Sequence, residues 1–284
     1  MHIARIHSTE NAGKLFSAAK DFLLPQEKFY CALMQRILNR SENIFIITPA
    51  PNINSILGLF FYNGHTLTPY IPNRTQDISD ALRIFFVPNK VTCISGESSS
   101  VLYVREIYSS VAGHSDEEVR SLFLMQKEIT SAKKYHASSA PQETRLVHCA
   151  PKHAKDLLHL QTSYSREEVL PAWQEMLPYL ERHSLDVALK NQHVLALKNK
   201  DHFIAKAQTN AITKNFWQIG GVYTEKSFRN RGLASFLVNE ISLMAQEKNA
   251  GTVLYVRRQN LSAINAYKKA GFKFCGEYSI IYFN

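Results

Sequence analysis

The sequence predicts an α+β chain of two domains: a mixed, mostly antiparallel sheet flanked by helices in the C-terminal half, preceded by an N-terminal mixed α/β domain. Three observations carry that expectation. The 284 residues exceed one small domain and suffice for two that each bury a core. The stretch Tyr135-His136-Ala137-Ser138-Ser139-Ala140-Pro141-Gln142 is small, polar and closed by a proline that disfavours helix in the residue before it, so it reads as a linker between residues 1–136 and 143–284. On both sides of it, β-branched and aromatic runs alternate with segments of helical periodicity.

In the first half, apolar residues at helical spacing predict a helix over residues 25–39. Runs at 44–48, 56–62 and 84–87 predict strands. Asn63-Gly64, between the second run and Leu67-Thr68-Pro69-Tyr70, signals a hairpin, because both residues tolerate the positive φ of a two-residue turn. A further helix is predicted over residues 116–134, where Ser115 would cap and Glu117 and Glu118 would complement the helix dipole.

After the linker, the pattern predicts a strand at 144–149, a helix at 151–162 and a proline-interrupted helical stretch at 166–182. Strands at 193–198 and 202–209 flank the turn Asn199-Lys200-Asp201, and a third strand spans 216–224. A long helix over 232–248 sets Leu233, Phe236, Leu237, Ile241 and Met244 on one face, and Asn249-Ala250-Gly251 stops it. A buried strand at 252–256, a helix at 262–270 and a last strand at 275–283 complete the order.

Composition narrows the function. Apolar residues at 45% and charged residues at 20% are ordinary for a folded chain and exclude long disordered tracts. The longest apolar run, 56–62, is far shorter than the roughly 20 residues of a membrane helix. No apolar signal core follows Met1, so a soluble cytoplasmic protein is expected. Cys31, Cys93, Cys149 and Cys275 form no CxxC pair and are expected to be reduced. The histidines contain no HExxH, and His148, His153 and His159 lack the i, i+4 spacing that aligns two ligands on a helix, so no metal site is expected. The net charge of +9 is uneven: residues 141–284 hold 19 Lys/Arg against 12 Asp/Glu, while residues 1–140 hold 14 against 12. That excess suits a polyanionic ligand. With no basic run and no basic-aromatic recognition element, a phosphorylated small ligand ranks above nucleic acid.

The chemistry resides in Gly221-Val222-Tyr223-Thr224-Glu225-Lys226-Ser227-Phe228-Arg229-Asn230-Arg231-Gly232-Leu233-Ala234, a strand that runs into a basic turn and opens a helix. The first N–H groups of a helix have no internal partners and the dipole adds positive charge, so main-chain donors would hold a pyrophosphate there. Gly232 lets phosphates approach the main chain, Ala234 keeps the next contact free of bulk, and Arg229 and Arg231 would add charge-assisted hydrogen bonds. A solvated basic loop at a helix start has the same local pattern, so context decides.

That context is a resemblance. Arg229-Asn230-Arg231-Gly232-Leu233-Ala234 is similar to the R/Q-x-x-G-x-G/A motif with which GNAT acetyltransferases cradle the pyrophosphate of coenzyme A. The segment from Asn260 through Ala263, Tyr267, Gly271 and Phe272 resembles the family's N-x-x-A-x-x-x-Y-x-x-x-G-F segment. The resemblance implies a GNAT fold, acetyl-CoA as co-substrate with no metal, and an amine acceptor. It implies that the backbone of Val222, Tyr223 and Thr224 pairs with pantetheine, and that Asn230, Arg231, Gly232, Leu233, Ala234 and Ser235 hold the phosphates. It also implies that Tyr267, near Asn260 in the same groove, protonates the departing thiolate; a packing tyrosine, replaceable by Phe, is the alternative. The chain departs from some relatives in having Leu254-Tyr255-Val256 where they carry a glutamate base. Glu225, Glu167, Glu168 or a water relay remain for that role, and none is assigned. The pair Glu167-Glu168 could recognise a cationic acceptor, but a solvated helix start, where clustered carboxylates need no ligand, is the preferred reading.

Tyr164-Ser165-Arg166-Glu167-Glu168-Val169, Gly220-Gly221-Val222 and Leu254-Tyr255-Val256 together resemble GNAT proteins with an added N-terminal domain similar to half a GNAT fold. Residues 58–69 and 93–97 would belong to that domain. It lacks an R-x-x-G-x-A turn and is expected to bind no coenzyme A, serving instead to shape the acceptor cleft, dock a protein or mediate self-association. The expected mechanism is direct transfer in a ternary complex, not a covalent route through Cys275. The alternative from another class is a catalytically silent acyl-CoA-binding regulatory or interaction module.

Overall fold

The computed structural model describes residues 1–49, 55–113, 116–129, 140–171 and 173–283. In chain order its elements are β1 (His2–Arg5), α1 (Ala12–Leu23), α2 (Cys31–Leu38), β2 (Ile44–Thr48), β3 (Gly58–Tyr62), β4 (Thr66–Tyr70), α3 (Gln76–Phe86), β5 (Cys93–Glu97), α4 (Ser98–Ala112) and β6 (Asp116–Lys127). There follow β7 (Arg145–His148), α5 (Ala154–Tyr164), α6 (Pro178–Asn191), β8 (Val194–Asn199), β9 (His202–Ile212), β10 (Phe216–Thr224), α7 (Leu233–Glu247), β11 (Gly251–Arg257), α8 (Leu261–Lys269) and β12 (Lys273–Phe283). Two compact units result: residues 1–123 with 276–284, and residues 124–275. Of the predicted linker, only Ala140-Pro141-Gln142 lies among the described residues. No helix among them is long and apolar enough to cross a membrane.

In the first unit the strands lie in the order β1-β2-β3-β4-β5-β12, antiparallel except for the parallel pair β4–β5. All five residues of β3 are buried because helices cover both faces of the sheet. Successive strand side chains alternate faces. Ile44, Ile46, Leu59 and Phe61 therefore pack with α1 and α2, while Ile47, Phe60 and Tyr62 pack with α3 and α4. The predicted hairpin joins β3 to β4, but its turn lies one residue further on: Asn63 N–H donates to the Thr66 carbonyl across Gly64-His65, Gly64 has φ +94°, and Asn63 Oδ1 accepts from the backbone N–H groups of His65 and Thr66.

Two predicted elements of this region are corrected. Residues 84–87, read as a strand, form the end of α3, which Thr75 caps by accepting from Ile78 N–H. Ile78, Ala81, Leu82 and Phe86 recur at helical spacing and are buried, whereas Ile84 is 74% exposed. The four-residue run has strand-forming residue types, but the longer 3.6-residue period decides. Residues 116–127, read as helix, form β6. The helix lies upstream as α4, capped by the Glu97 carboxylate on Ser99 and Ser100 N–H and stopped by Gly113 at φ +66°. Along β6, Arg120, Leu122 and Leu124 are buried with less buried residues between them, the period of a strand. The proposed cap Ser115 lies outside the described residues.

In the second unit β7, β8, β9 and β10 are successively antiparallel, and β11 joins β10 in parallel. The α5 and α6 helices bury Ala154, Leu157, Leu160, Leu185 and Leu189 against Ala196 and Phe203 of the sheet. The Asn199-Lys200-Asp201 turn forms as read, with Lys200 at φ +50°. On α7, Leu233, Leu237, Val238, Ile241 and Ala245 are buried, while the predicted face residues Phe236 and Met244 are half-buried.

Candidate active site

Strands β10 and β11 pair at four positions, from Phe216↔Gly251 to Ile219↔Leu254. Both strands continue, to Thr224 and Arg257, but the pairing ends, so a notch opens between residues 220–224 and 255–257. On its other side β10 shifts register against β9 between Gln218 and Ile219 and again between Gly220 and Tyr223. Gly221 makes the second bulge, with φ +57°, and a Cβ there would meet the Gln208 side chain at 2.9 Å. Glycine meets both constraints without strain, where another residue would have to displace Gln208 and hold a left-handed backbone.

Beyond Thr224 the chain makes a short turn at residues 226–228 and enters α7 through Gly232, at φ +76°. No side chain caps this helix, and Phe236 N–H is the donor that reaches the Gly232 carbonyl. The N–H groups of Leu233, Ala234 and Ser235 precede that ladder and lie at the positive end of the helix dipole. A Cβ on Gly232 would meet nothing within 4 Å, so the space over this end is open. Asn230, at φ +64°, and Arg231 are exposed; Arg231 donates to the Ser227 carbonyl and lies over the Phe228 ring.

Arg229 is already engaged. Its Nη2 donates to Glu167 Oε2 at 2.7 Å, its Nε donates to the Thr224 carbonyl at 3.0 Å, and its guanidinium lies over the Tyr223 ring. The Tyr223 hydroxyl also donates to Glu167, and the Lys226 ammonium lies 3.7 Å from it. Burial pushes the Glu167 carboxyl up, but the hydrogen bonds from Arg229 and Tyr223 and the charges of Arg229 and Lys226 outweigh it and hold the group below the ordinary range. The adjacent Glu168 faces the other wall of the notch. Asn260 Nδ2 donates to its carboxylate at 3.1 Å, Arg257 Nη2 donates to its carbonyl at 2.6 Å, and Arg257 Nε lies 3.8 Å from its carboxylate. A single π-helical turn, Ser165–Val169, thus ties the end of β10 to the end of β11. Neither carboxylate is the solvated helix-start group of the sequence reading.

Asn260 has a second task as N-cap of α8, its Oδ1 accepting from Ala263 N–H. Two turns on, Tyr267 is 6% exposed and packs near Phe272. Burial, then the nearby Tyr164 and Glu168, push its phenol well above the ordinary value, so it stays protonated. Among the described residues no hydrogen bond ties up its hydroxyl. Val222 and Thr224 are half-buried on the β10 wall, and Thr224 Oγ1 is buried without a partner among the described residues. All four cysteines are free. Burial pushes the Cys93 and Cys149 thiols up to about 12, the reverse of nucleophile activation.

Sequence reasoning missed Lys206, fully buried in β9. Its ammonium donates to the Gly221 carbonyl at 3.1 Å and to Gln208 Oε1 at 3.3 Å, and lies 5.2 Å over the Tyr164 ring. Tyr164 is half-buried, so Lys206 is the buried group that pins the bulge on β10. Glu181, held by Gln161 and Ser165, contributes the compensating charge. Burial lowers the Lys206 amine to about 8. The unfolded chain therefore holds a proton that the folded chain lacks between about 8 and the ordinary 10.5, and folding stability should rise with pH across that window. At roughly 1.4 kcal/mol per unit, this shift corresponds to about 3 kcal/mol. In urea melts at pH 7.5 and 10, the stability of wild type relative to Lys206→Met should increase at the higher pH; a difference independent of pH would show an unshifted lysine.

A mixed sheet whose central parallel pair parts beside an uncapped, glycine-entered helix defines a fold of the acetyltransferase class. Residues 154–272 match the model of the family described as Acetyltransferase (GNAT) family, and the chain carries a GNAT domain over that span. A Drosophila protein of known structure is 14% identical, with 93% of this chain and 96% of that one covered at a TM-score of 0.67. An acetyltransferase of the GNAT family from Colwellia psychrerythraea is 11% identical over 100% of both chains, at a TM-score of 0.60. A tandem GNAT protein from the clavulanic acid biosynthesis pathway is 8% identical, covering 99% of this chain and 96% of that one at a TM-score of 0.57. At such identities the likeness is one of fold. No curated protein matches the chain in sequence.

Proposed function

We propose that the second unit transfers an acetyl group from acetyl-CoA to an amine by direct attack in a ternary complex. The observation that carries this reading is the parting of β10 from β11 next to a helix start that no side chain caps. The edge of Val222, Tyr223 and Thr224 on the β11 side, beyond the last β10–β11 pair, receives pantetheine as an added strand would be received. The N–H groups of Leu233, Ala234 and Ser235 take the pyrophosphate, Gly232 leaves room for it, and Asn230 and Arg231 border it. Arg229 acts through Glu167, holding the loop against β10. Bound acetyl-CoA supplies an electrophilic thioester carbon. As the amine nitrogen forms its bond to that carbon and the C–S bond breaks, Tyr267 gives its proton to the departing sulfur. Water accepts the surplus proton of the amine and solvent reprotonates Tyr267, leaving an amide and the free thiol of coenzyme A.

Calorimetric titration of acetyl-CoA into the purified chain tests the first half of this reading: saturable binding supports it, and none to a folded protein overturns it. Glu167→Gln keeps the volume of the side chain but removes the charge that Arg229 and Lys226 share. The expected outcome is a several-fold rise in the Kd for acetyl-CoA with little change in Tm. An unchanged Kd would remove the loop brace from the account.

A further inference from the structure

We propose that His159, His202 and Glu225 form a binding site for a divalent transition metal of the zinc type. The three residues come from separate elements: His159 from α5, His202 from the first position of β9, and Glu225 from the residue after β10. His202 Nε2 lies 2.7 Å and His159 Nε2 3.1 Å from the same Glu225 Oε1, and all three ligand atoms lie within 4.8 Å of one another. The two imidazoles are stacked, with centroids 4.7 Å apart and planes at 26°.

The arrangement suits one ion on three grounds. First, donors placed roughly 2.0–2.1 Å from a tetrahedral ion are a little over 3 Å from each other, so these atoms need small outward shifts, not a new backbone. Side-chain exposures of 37% for His159, 59% for His202 and 23% for Glu225 give an ion a path in and the rings room to shift. Second, two neutral imidazoles and one carboxylate supply nitrogen and oxygen donors with one negative charge. That set favours Zn²⁺, Ni²⁺ or Cu²⁺ over Mg²⁺ or Ca²⁺, which call for more oxygens. Third, the backbone holds the ligands in place. Glu225 N–H donates to the Ile204 carbonyl at 2.9 Å, and His159 Nε2–H donates to the Phe203 carbonyl at 2.9 Å, a hydrogen bond that places the ring and that the ion would replace. On binding, each ring presents its Nε2 lone pair to the ion and carries its proton on Nδ1. The expectation of no metal site rested on local spacing, which three ligands from three elements do not obey.

Such an ion would tether α5, the start of β9 and the residue from which the loop to α7 departs. Binding of the metal alone is independent of acetyl-CoA, so the outcome here does not depend on the transferase reading. Chelator-treated full-length protein titrated with ZnCl₂ should bind one Zn²⁺ per chain with a micromolar or tighter Kd and gain a higher Tm, while CaCl₂ and MgCl₂ should give neither. His202→Gln and Glu225→Gln should each weaken Zn²⁺ binding at least tenfold and remove the Tm gain, with unchanged circular dichroism in the absence of metal. His202 is largely exposed, so His202→Gln tests the site without disturbing the core. No saturable Zn²⁺ binding to the wild type would leave a hydrogen-bonded His–Glu–His cluster and overturn the assignment. Equal Zn²⁺ affinity in the wild type and both variants would place the zinc on other histidines and overturn it as well.

Discussion

Replacing Gly232 by Asp is expected to abolish acetyl-CoA binding at micromolar concentrations while leaving the fold intact. The two effects separate because Gly232 is both the N-cap of α7 and the residue closest to the proposed anion seat. Residence at φ +76° costs an Asp about 1–2 kcal/mol, and Asp tolerates that region better than most residues. No atom lies within 4 Å of the added Cβ, so no clash enters. The net change in Tm should be small. Binding is different: a carboxylate about 4 Å from a phosphate charge, at the effective dielectric of a protein surface, is repelled by about 4 kcal/mol, which is two to three orders of magnitude in Kd. Gly232→Asn is the matched control, with the same shape but no charge, and should keep most of the affinity. If Asp and Asn variants both bind acetyl-CoA like the wild type, the pyrophosphate does not sit on α7.

Tyr267→Phe should lower kcat by about 10²–10⁴-fold, the range spanned by loss of a positioned general acid. The KM for acetyl-CoA should change little, because the ring remains in its contact with Phe272 and the hydroxyl lies outside the proposed phosphate and pantetheine contacts. Stability should be equal or slightly higher, since no described hydrogen bond is lost and a buried hydroxyl is removed. The upward shift of the phenol adds a second signature. Because the acid form persists beyond the ordinary phenol range, the wild-type rate should not fall through ionisation of Tyr267 as the pH approaches 10. A variant with full kcat would reduce Tyr267 to a packing residue and turn the search for the acid elsewhere.

The glycine-entered helix start at residues 229–234 and the Asn-capped helix at residues 260–272 could be read directly because both are local. A helix entered through Gly, and a helix with Asn at its cap and Tyr two turns on, need only their own 3.6-residue period. The buried runs of β2 and β3, the β3–β4 hairpin and the turn at Asn199-Lys200-Asp201 were legible for the same reason. The exchange of helix for strand at β6 shows the limit: an acidic, potentially capped start is compatible with either element, and the choice went to the sheet once α4 had taken the preceding residues. The roles of Glu167 and Glu168 lay further out of reach, since each carboxylate is defined by partners more than fifty positions away.

By itself, then, the sequence determined the order of elements from β7 to α8, the glycine-entered helix and the tyrosine two turns beyond Asn260, all set by interactions between near neighbours. The tertiary structure alone decided that Lys206 is buried against Gly221, that Arg229 is a brace for the loop, and that His159, His202 and Glu225 converge. A charged side chain reads as solvated until the fold supplies its partners, because the cost of burying it is offset only by groups that the chain brings together from a distance.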